Sequence, residues 1–365
     1  MKSIIALTRY GSMGASSRVR FALYEDDLRR AGYSLTLSPF FDDAYLRDLY
    51  EGRARSPGSI VSAYWRRLRA LWSAGRHDLL WVEKELLPFA PSLFERLIRL
   101  ANTPYVVDFD DAIFHNYDQS GNALIRTLLS NKLDSLLAES AAVTAGNRYL
   151  GDYASAHGAR HVLTLPTVVD TAKYLYPVSP ATRSSDKLII GWIGSPATAP
   201  LLQKIVPTLN AAARQIPLEL VTIGIAPLSN CEFPLEARAW SAESEVEQLG
   251  KIDVGIMPLT DSPFERGKCG YKLIQYMAVG KPVIASNVGV NGEIVSPEVG
   301  ILAENEDEWI AAITRLAKSA DLRAAMGAAG RERSETLYSL HANAPRLIRL
   351  FDEITADGSP RQSPL

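Results

Sequence analysis

Asp253-Val254-Gly255-Ile256-Met257-Pro258 and, after a short polar stretch, Pro263-Phe264-Glu265-Arg266-Gly267-Lys268-Cys269-Gly270-Tyr271-Lys272-Leu273-Ile274-Gln275-Tyr276-Met277-Ala278-Val279-Gly280-Lys281-Pro282-Val283-Ile284-Ala285-Ser286 make up one strand, loop, helix, strand unit. The apolar run to Pro258 predicts a strand, the helical pattern begins near Tyr271, Gly280 stops it, and a new strand starts at Pro282. Between strand and helix lie Arg266, Lys268 and two glycines. Fixed cations on glycine-rich backbone at a helix N-terminus suit a diphosphate, because charge, open N–H groups and helix dipole act at one point. Lys268 and Lys272 are one turn apart and can face the same anion.

The same alternation runs outward in both directions. Ile4–Thr8, Leu35–Leu37, Leu79–Val82, Tyr105–Phe109, Ala142–Ala145 and Val162–Leu165 read as strands, with helical patterns such as Arg18–Ala31 and Leu124–Glu139 between them. Val168–Lys187, with Pro177 and Pro180, carries no periodicity. Strands resume at Leu188–Ile193, Leu218–Ile223, Asp253–Pro258, Pro282–Ser286 and Gly300–Leu302. Repeated strand and helix predict parallel sheets covered on both faces. The fold class is therefore α/β, with two Rossmann-like doubly wound domains facing across a cleft, 1–168 and 169–339. A C-terminal helix over about 340–358 is expected to pack back on the first domain, and 359–365 is expected to be a disordered tail. The 365 residues agree with two domains at roughly 100 to 200 residues each.

Composition narrows the partners. Lys plus Arg number 39 and Asp plus Glu 41, so no global basic field draws the chain to nucleic acid. Any anion site must be local. Two cysteines, Cys231 and Cys269, are too few for a disulfide framework and fit a reducing, cytoplasmic compartment. The start, Met1 to Tyr10, has too short an apolar run for a leader and reads as the first strand.

Ligands bind beyond the carboxyl ends of parallel strands, so the strand-to-helix loops are where chemistry is expected. The first, Arg9 to Arg20, contains Gly11 and Gly14 and runs into a helix whose Arg18 and Arg20 can reach a phosphate. Its spacing lacks the dinucleotide fingerprint. The fourth strand ends in Asp108, Asp110, Asp111 and then His115, a carboxylate density that a metal, a sugar or cations must compensate. The segment 60–72 carries Arg66, Arg67, Arg69, Trp65 and Trp72 at helical spacing, a composition that suits an anionic membrane surface, or else packing against the domain.

With these residues in view, the chain resembles glycosyltransferase family 4, nucleotide-sugar-dependent retaining enzymes of GT-B fold. Lys272 to Val283 is similar to Lys-x-x-Glu-Tyr-Met-Ala-x-Gly-x-Pro-Val. Pro166 to Pro177, containing Asp170 and Tyr174, resembles Pro-Asn-Gly-Val-Asp-x-x-x-Phe-x-Pro. The resemblance implies transfer of a sugar from a nucleoside-diphosphate sugar to a glycan or lipid-linked glycan acceptor, with retention, without metal and without a cofactor. It implies catalytic roles for Asp110, Asp111, Lys268 and Lys272. It implies donor contacts at Arg18, Gly194, Ser195, Trp240, Glu265, Arg266, Gly270, Tyr271 and Gln275, with polysaccharide or glycolipid assembly at the inner face of the cytoplasmic membrane as the setting. Four departures stand out, the first being Asp110, which occupies the position where many relatives carry a sugar-contacting histidine. Gly267 and Gln275 occupy the first and second glutamate positions of the pattern, with Glu265 a candidate substitute for the glutamate missing at Gly267. Ser195 to Thr198 lack the pattern's Arg and Lys, the next lysine being Lys204. Three rival readings are a metal-dependent transferase using Asp108 and Asp110, a sugar-nucleotide 2-epimerase, and a non-catalytic sugar-nucleotide-binding subunit.

Overall fold

A computed structural model describes residues 1–11, 13–50, 53, 57–175 and 187–356. Pro177, Pro180 and the tail 359–365 lie outside the described residues. The chain divides into two compact units, the first of Met1–Thr167, Gly267–Cys269 and the chain from Asn343 onward, the second of Val168–Arg266 and Gly270–Ala342.

The first unit holds β1 (Lys2–Leu7), β2 (Tyr33–Leu37), β3 (Leu79–Glu83), β4 (Tyr105–Phe109), β5 (Ala142–Ala145) and β6 (Val162–Thr164) in the order β2-β1-β3-β4-β5-β6, all parallel. The second holds β7 (Leu188–Ile193), β8 (Leu218–Ile223), β9 (Leu235–Arg238), β10 (Val254–Met257), β11 (Val283–Ser286) and β12 (Gly300–Ala303) in the order β12-β11-β10-β7-β8-β9, again parallel. Eleven of these strands follow the sequence expectation. β9 does not, because it is a half-exposed edge strand whose Glu236 and Arg238 pair with each other and break any apolar run.

Both faces of each sheet are buried, as parallel sheets require. In the second, Ile193, Val221 and Ile223 enter one core while Ile190, Trp192 and Leu220 enter the other. In the first, Trp81 of β3 is fully buried and packs against Phe21 and against Phe351 of the helix Leu340–Ala356.

Two expected helices are broken. Arg18–Ala31 becomes Ala15–Arg20 and Glu25–Arg30, separated at Phe21. Leu124–Glu139 becomes Ala123–Leu129 and Asp134–Glu139. The second break sits over Lys132, whose buried ammonium lies 2.6 Å from Glu85 and 2.5 Å from Glu95 and also donates to the Leu87 carbonyl. Periodicity cannot foresee an ion triad assembled from three distant segments.

Candidate functional site

In the second unit the carboxyl edges of β7, β8 and β10 lie side by side, so the loops that leave them converge. Gly194 follows β7 and approaches the β8 exit so closely that a side chain on Gly224 would stand 2.4 Å from the Gly194 carbonyl. The Ser195 carbonyl accepts from Thr198 and Ala199 and opens the helix Ala199–Ala213. After β10, Arg266 forms a two-bond pair with Asp261, 2.6 and 2.9 Å, and Glu265 accepts from the Ser262 hydroxyl. Gly270 caps the helix Tyr271–Ala278 at φ +66°, where any side chain would also meet Ile294 at 2.2 Å. This left-handed turn is what aims the helix N-terminus at the strand edge. Lys272 Nζ lies 5.3 Å from the centre of the Trp192 ring, a cation–π position.

A hydrogen-bonded chain completes this edge. Gln275 Nε2 donates to the Tyr174 hydroxyl at 3.2 Å, that hydroxyl donates to Glu245, and Trp240 Nε1 donates to the other Glu245 oxygen at 2.6 Å. Burial, reinforced by Tyr271 and Glu245, pushes the Tyr174 phenol well above its ordinary range. Sequence reasoning singles out Trp240, Tyr271 and Gln275 but misses Tyr174 and Glu245 as site residues. Tyr174 is within its reach, since it stands at the phenylalanine of the resembled pattern. Glu245 looks like any acidic first turn of a helix.

In the first unit the carboxylates of the fourth-strand exit are shared among cations. Asp108 is fully buried, bonded by Arg20 at 2.6 and 3.0 Å and by Thr144 at 2.5 Å. The third nitrogen of Arg20 donates to the Leu165 carbonyl. Arg20 therefore closes a structural pair and is not available for a phosphate, contrary to the sequence reading. Asp110 pairs with Lys84 at 2.8 Å. Burial would raise the Asp110 carboxyl, but Lys84 overrides it and holds the group below its ordinary value. Lys84 itself sits at φ +66°, between Asp110 and Glu83, and stays charged although buried. Asp111 meets Lys268 Nζ at 3.2 Å.

The loop Gly267–Cys269 is fixed by Asn147, whose Nδ2 donates to the Gly267 and Lys268 carbonyls at 3.2 and 2.9 Å. Its Oδ1 caps the helix Arg148–Ala156 through Leu150. The Cys269 thiol donates to the Asp110 carbonyl at 3.1 Å. A Cβ on Gly267 would stand 2.4 Å from the Ala112 Cβ, so the glutamate of the resembled pattern has no room there. Lys84, Glu83 and Asn147 also escape sequence reasoning. They lie at strand exits, but nothing in Glu83-Lys84-Glu85 distinguishes it from a solvated turn until β3 is seen between β1 and β4.

Asp108 and Asp110 are thus bound by cationic side chains, and no group of three or more His, Cys, Asp or Glu among the described residues is arranged to hold a metal. In the segment 60–72, Arg67 turns inward, fully buried, onto the Thr8 carbonyl, and burial lowers its pKa to about 10. Arg66 meets Asp42 and the Phe40 carbonyl. Trp65 and Trp72 point outward, 61% and 89% exposed. No helix among the described residues is long and apolar enough to cross a membrane.

Residues 188–319 match the family of glycosyl transferases group 1. The whole chain superposes on solved GT-B proteins of low sequence identity. Sucrose-phosphate synthase from Thermosynechococcus elongatus gives a TM-score of 0.72 at 17% identity, over 98% of this chain and 100% of that one. Anabaena HepE in complex with UDP gives 0.69 at 15%, over 97% and 100%. The α,α-trehalose 6-phosphate synthase from Burkholderia multivorans gives 0.66 at 13%, over 98% and 100%. No curated protein matches the chain. The fold is GT-B, and the domain at 188–319 makes this protein an enzyme of the glycosyltransferase class.

Proposed function

We propose that the protein transfers a glycosyl group from a nucleoside-diphosphate sugar to a glycan or lipid-linked glycan, with retention of anomeric configuration and without metal or cofactor, as in glycosyltransferase family 4. The observation that carries this reading is the convergence of Gly194, Ser195, Trp240, Gly270, Tyr271 and Gln275 on one strand edge within the matched domain. Ribose hydroxyls are assigned to Gln275, whose amide both donates and accepts, and the diphosphate to the helix start at Gly270 with Arg266, Lys272 and Lys268. The acceptor is assigned to the strand exits of the first unit.

Breaking the anomeric bond loads charge on the departing diphosphate. Cations already fixed there stabilise the transition state more than the ground state. Same-face attack then leaves the leaving phosphate to assist deprotonation of the acceptor, with Asp111 orienting sugar hydroxyls. Asp110, paired with Lys84, takes a supporting part in this scheme. The outward Trp65 and Trp72 favour a peripheral membrane position for acceptor capture, in surface polysaccharide or glycolipid assembly. A thermal-shift screen against nucleoside diphosphates and their sugars tests the donor: stabilisation by one nucleotide series is expected, and a flat response to all of them overturns the reading. Retained activity in EDTA tests metal independence.

A further inference from the structure

Two departures from the resembled pattern meet in space. Gln275 replaces its glutamate and Tyr174 its phenylalanine, and the two side chains are hydrogen-bonded to each other at 3.2 Å. A phenol has one proton, and here that proton goes to Glu245. What Tyr174 offers residue 275 is therefore only lone pairs, which an amide N–H can use and a carboxylate cannot. Glu245 is itself buried, and its second oxygen is taken by Trp240 Nε1. The negative charge that the pattern carries at the helix position thus stands at Glu245, one phenol away.

We infer that Glu245, acting through Tyr174, is a positioning residue of the donor site. It holds the Gln275 amide with Nε2 inward and Oε1 toward the ligand, and it fixes the Trp240 indole beside it. This rests on the ribose assignment made above. Restoring the family glutamate at 275 then harms the site instead of improving it, since a carboxylate there faces the lone pairs of a Tyr174 hydroxyl whose own proton is held by Glu245. Removing that phenol relieves the conflict.

The test is a double-mutant cycle of Gln275→Glu and Tyr174→Phe on the full chain, read by UDP affinity in calorimetry and by Tm without ligand. Gln275→Glu alone is expected to weaken UDP by about tenfold or more. In the Tyr174→Phe background the same change is expected to cost less than about threefold, and the Tm cost of the glutamate should shrink by about 3 °C. Equal costs in both backgrounds, or a Gln275→Glu protein that binds UDP as well as the parent, overturn the inference. If the parent protein binds none of UDP, GDP or ADP, the donor reading falls by itself. The Tm cycle then still decides the network, coupling supporting the Glu245–Tyr174–Gln275 chain and additivity overturning it.

Discussion

Gly267 and Lys268 are neighbours with opposite constraints. The backbone of Gly267 is pressed against Ala112, so Gly267→Glu is an overpacking change. Its expected cost is about 1–3 kcal/mol, read as a lowered Tm, and Ala112→Gly should recover part of it. Lys268, by contrast, is held by a partly exposed pair with Asp111. Lys268→Ala and Lys272→Ala are expected to lower kcat by about 10² to 10³ with little loss of Tm. Full activity in either variant would remove that lysine from the diphosphate site. The density of cations between Arg266 and Lys272 was legible from the sequence alone. That Lys272 lies over Trp192, and that Asp108 belongs to Arg20, was not, because those partners are 80 and 88 residues away in the chain.

At the scale of elements, the interruption between Ala123–Leu129 and Asp134–Glu139 is the feature with a measurable consequence. It delivers Lys132 to Glu85 and Glu95, and burial already raises the Glu95 carboxyl. Lys132→Met leaves the buried Glu95 without its cation, while Glu85 keeps Arg9 at 3.2 Å, at an expected cost of about 3–5 kcal/mol. In that variant the folded-state pKa of Glu95, raised by burial and no longer opposed by Lys132, lies above the unfolded one. Stability is therefore full below the unfolded carboxyl range and is lost as pH rises through the folded value. The Tm deficit against the parent should widen from pH 5 to pH 8, and a deficit independent of pH would contradict this account. The helix Pro57–Ala74 bears a second test. Trp65→Ser with Trp72→Ser should abolish flotation with anionic liposomes while leaving Tm unchanged, since both rings are exposed. Parent protein that fails to float at any salt concentration would discard the membrane role.

On the scale of the whole molecule, the first unit is assembled from segments far apart in sequence. Phe351, near the chain's end, is fully buried against Trp81 and Tyr33, and Asp352 accepts from the Tyr33 hydroxyl at 2.6 Å. Phe351→Ala should destabilise this unit by about 3–5 kcal/mol, and a 1–167 fragment should fail to give a cooperative unfolding transition. A fragment that unfolds cooperatively at the parent's Tm would show that the returning helix is dispensable.

The sequence by itself determined the alternation of strands and helices, the parallel sheets and the basic helix start at 266–272, because hydrophobic period, glycine stops and local charge are all short-range properties. Tertiary structure alone decided which charges are spent on the fold and which stand at the strand edges where chemistry is expected. Arg20, Arg67 and Lys132 read like Arg266 and Lys268 in one dimension. Their difference is burial against carboxylates and carbonyls supplied by remote strands, and the pairing of a buried charge is a property of three-dimensional packing.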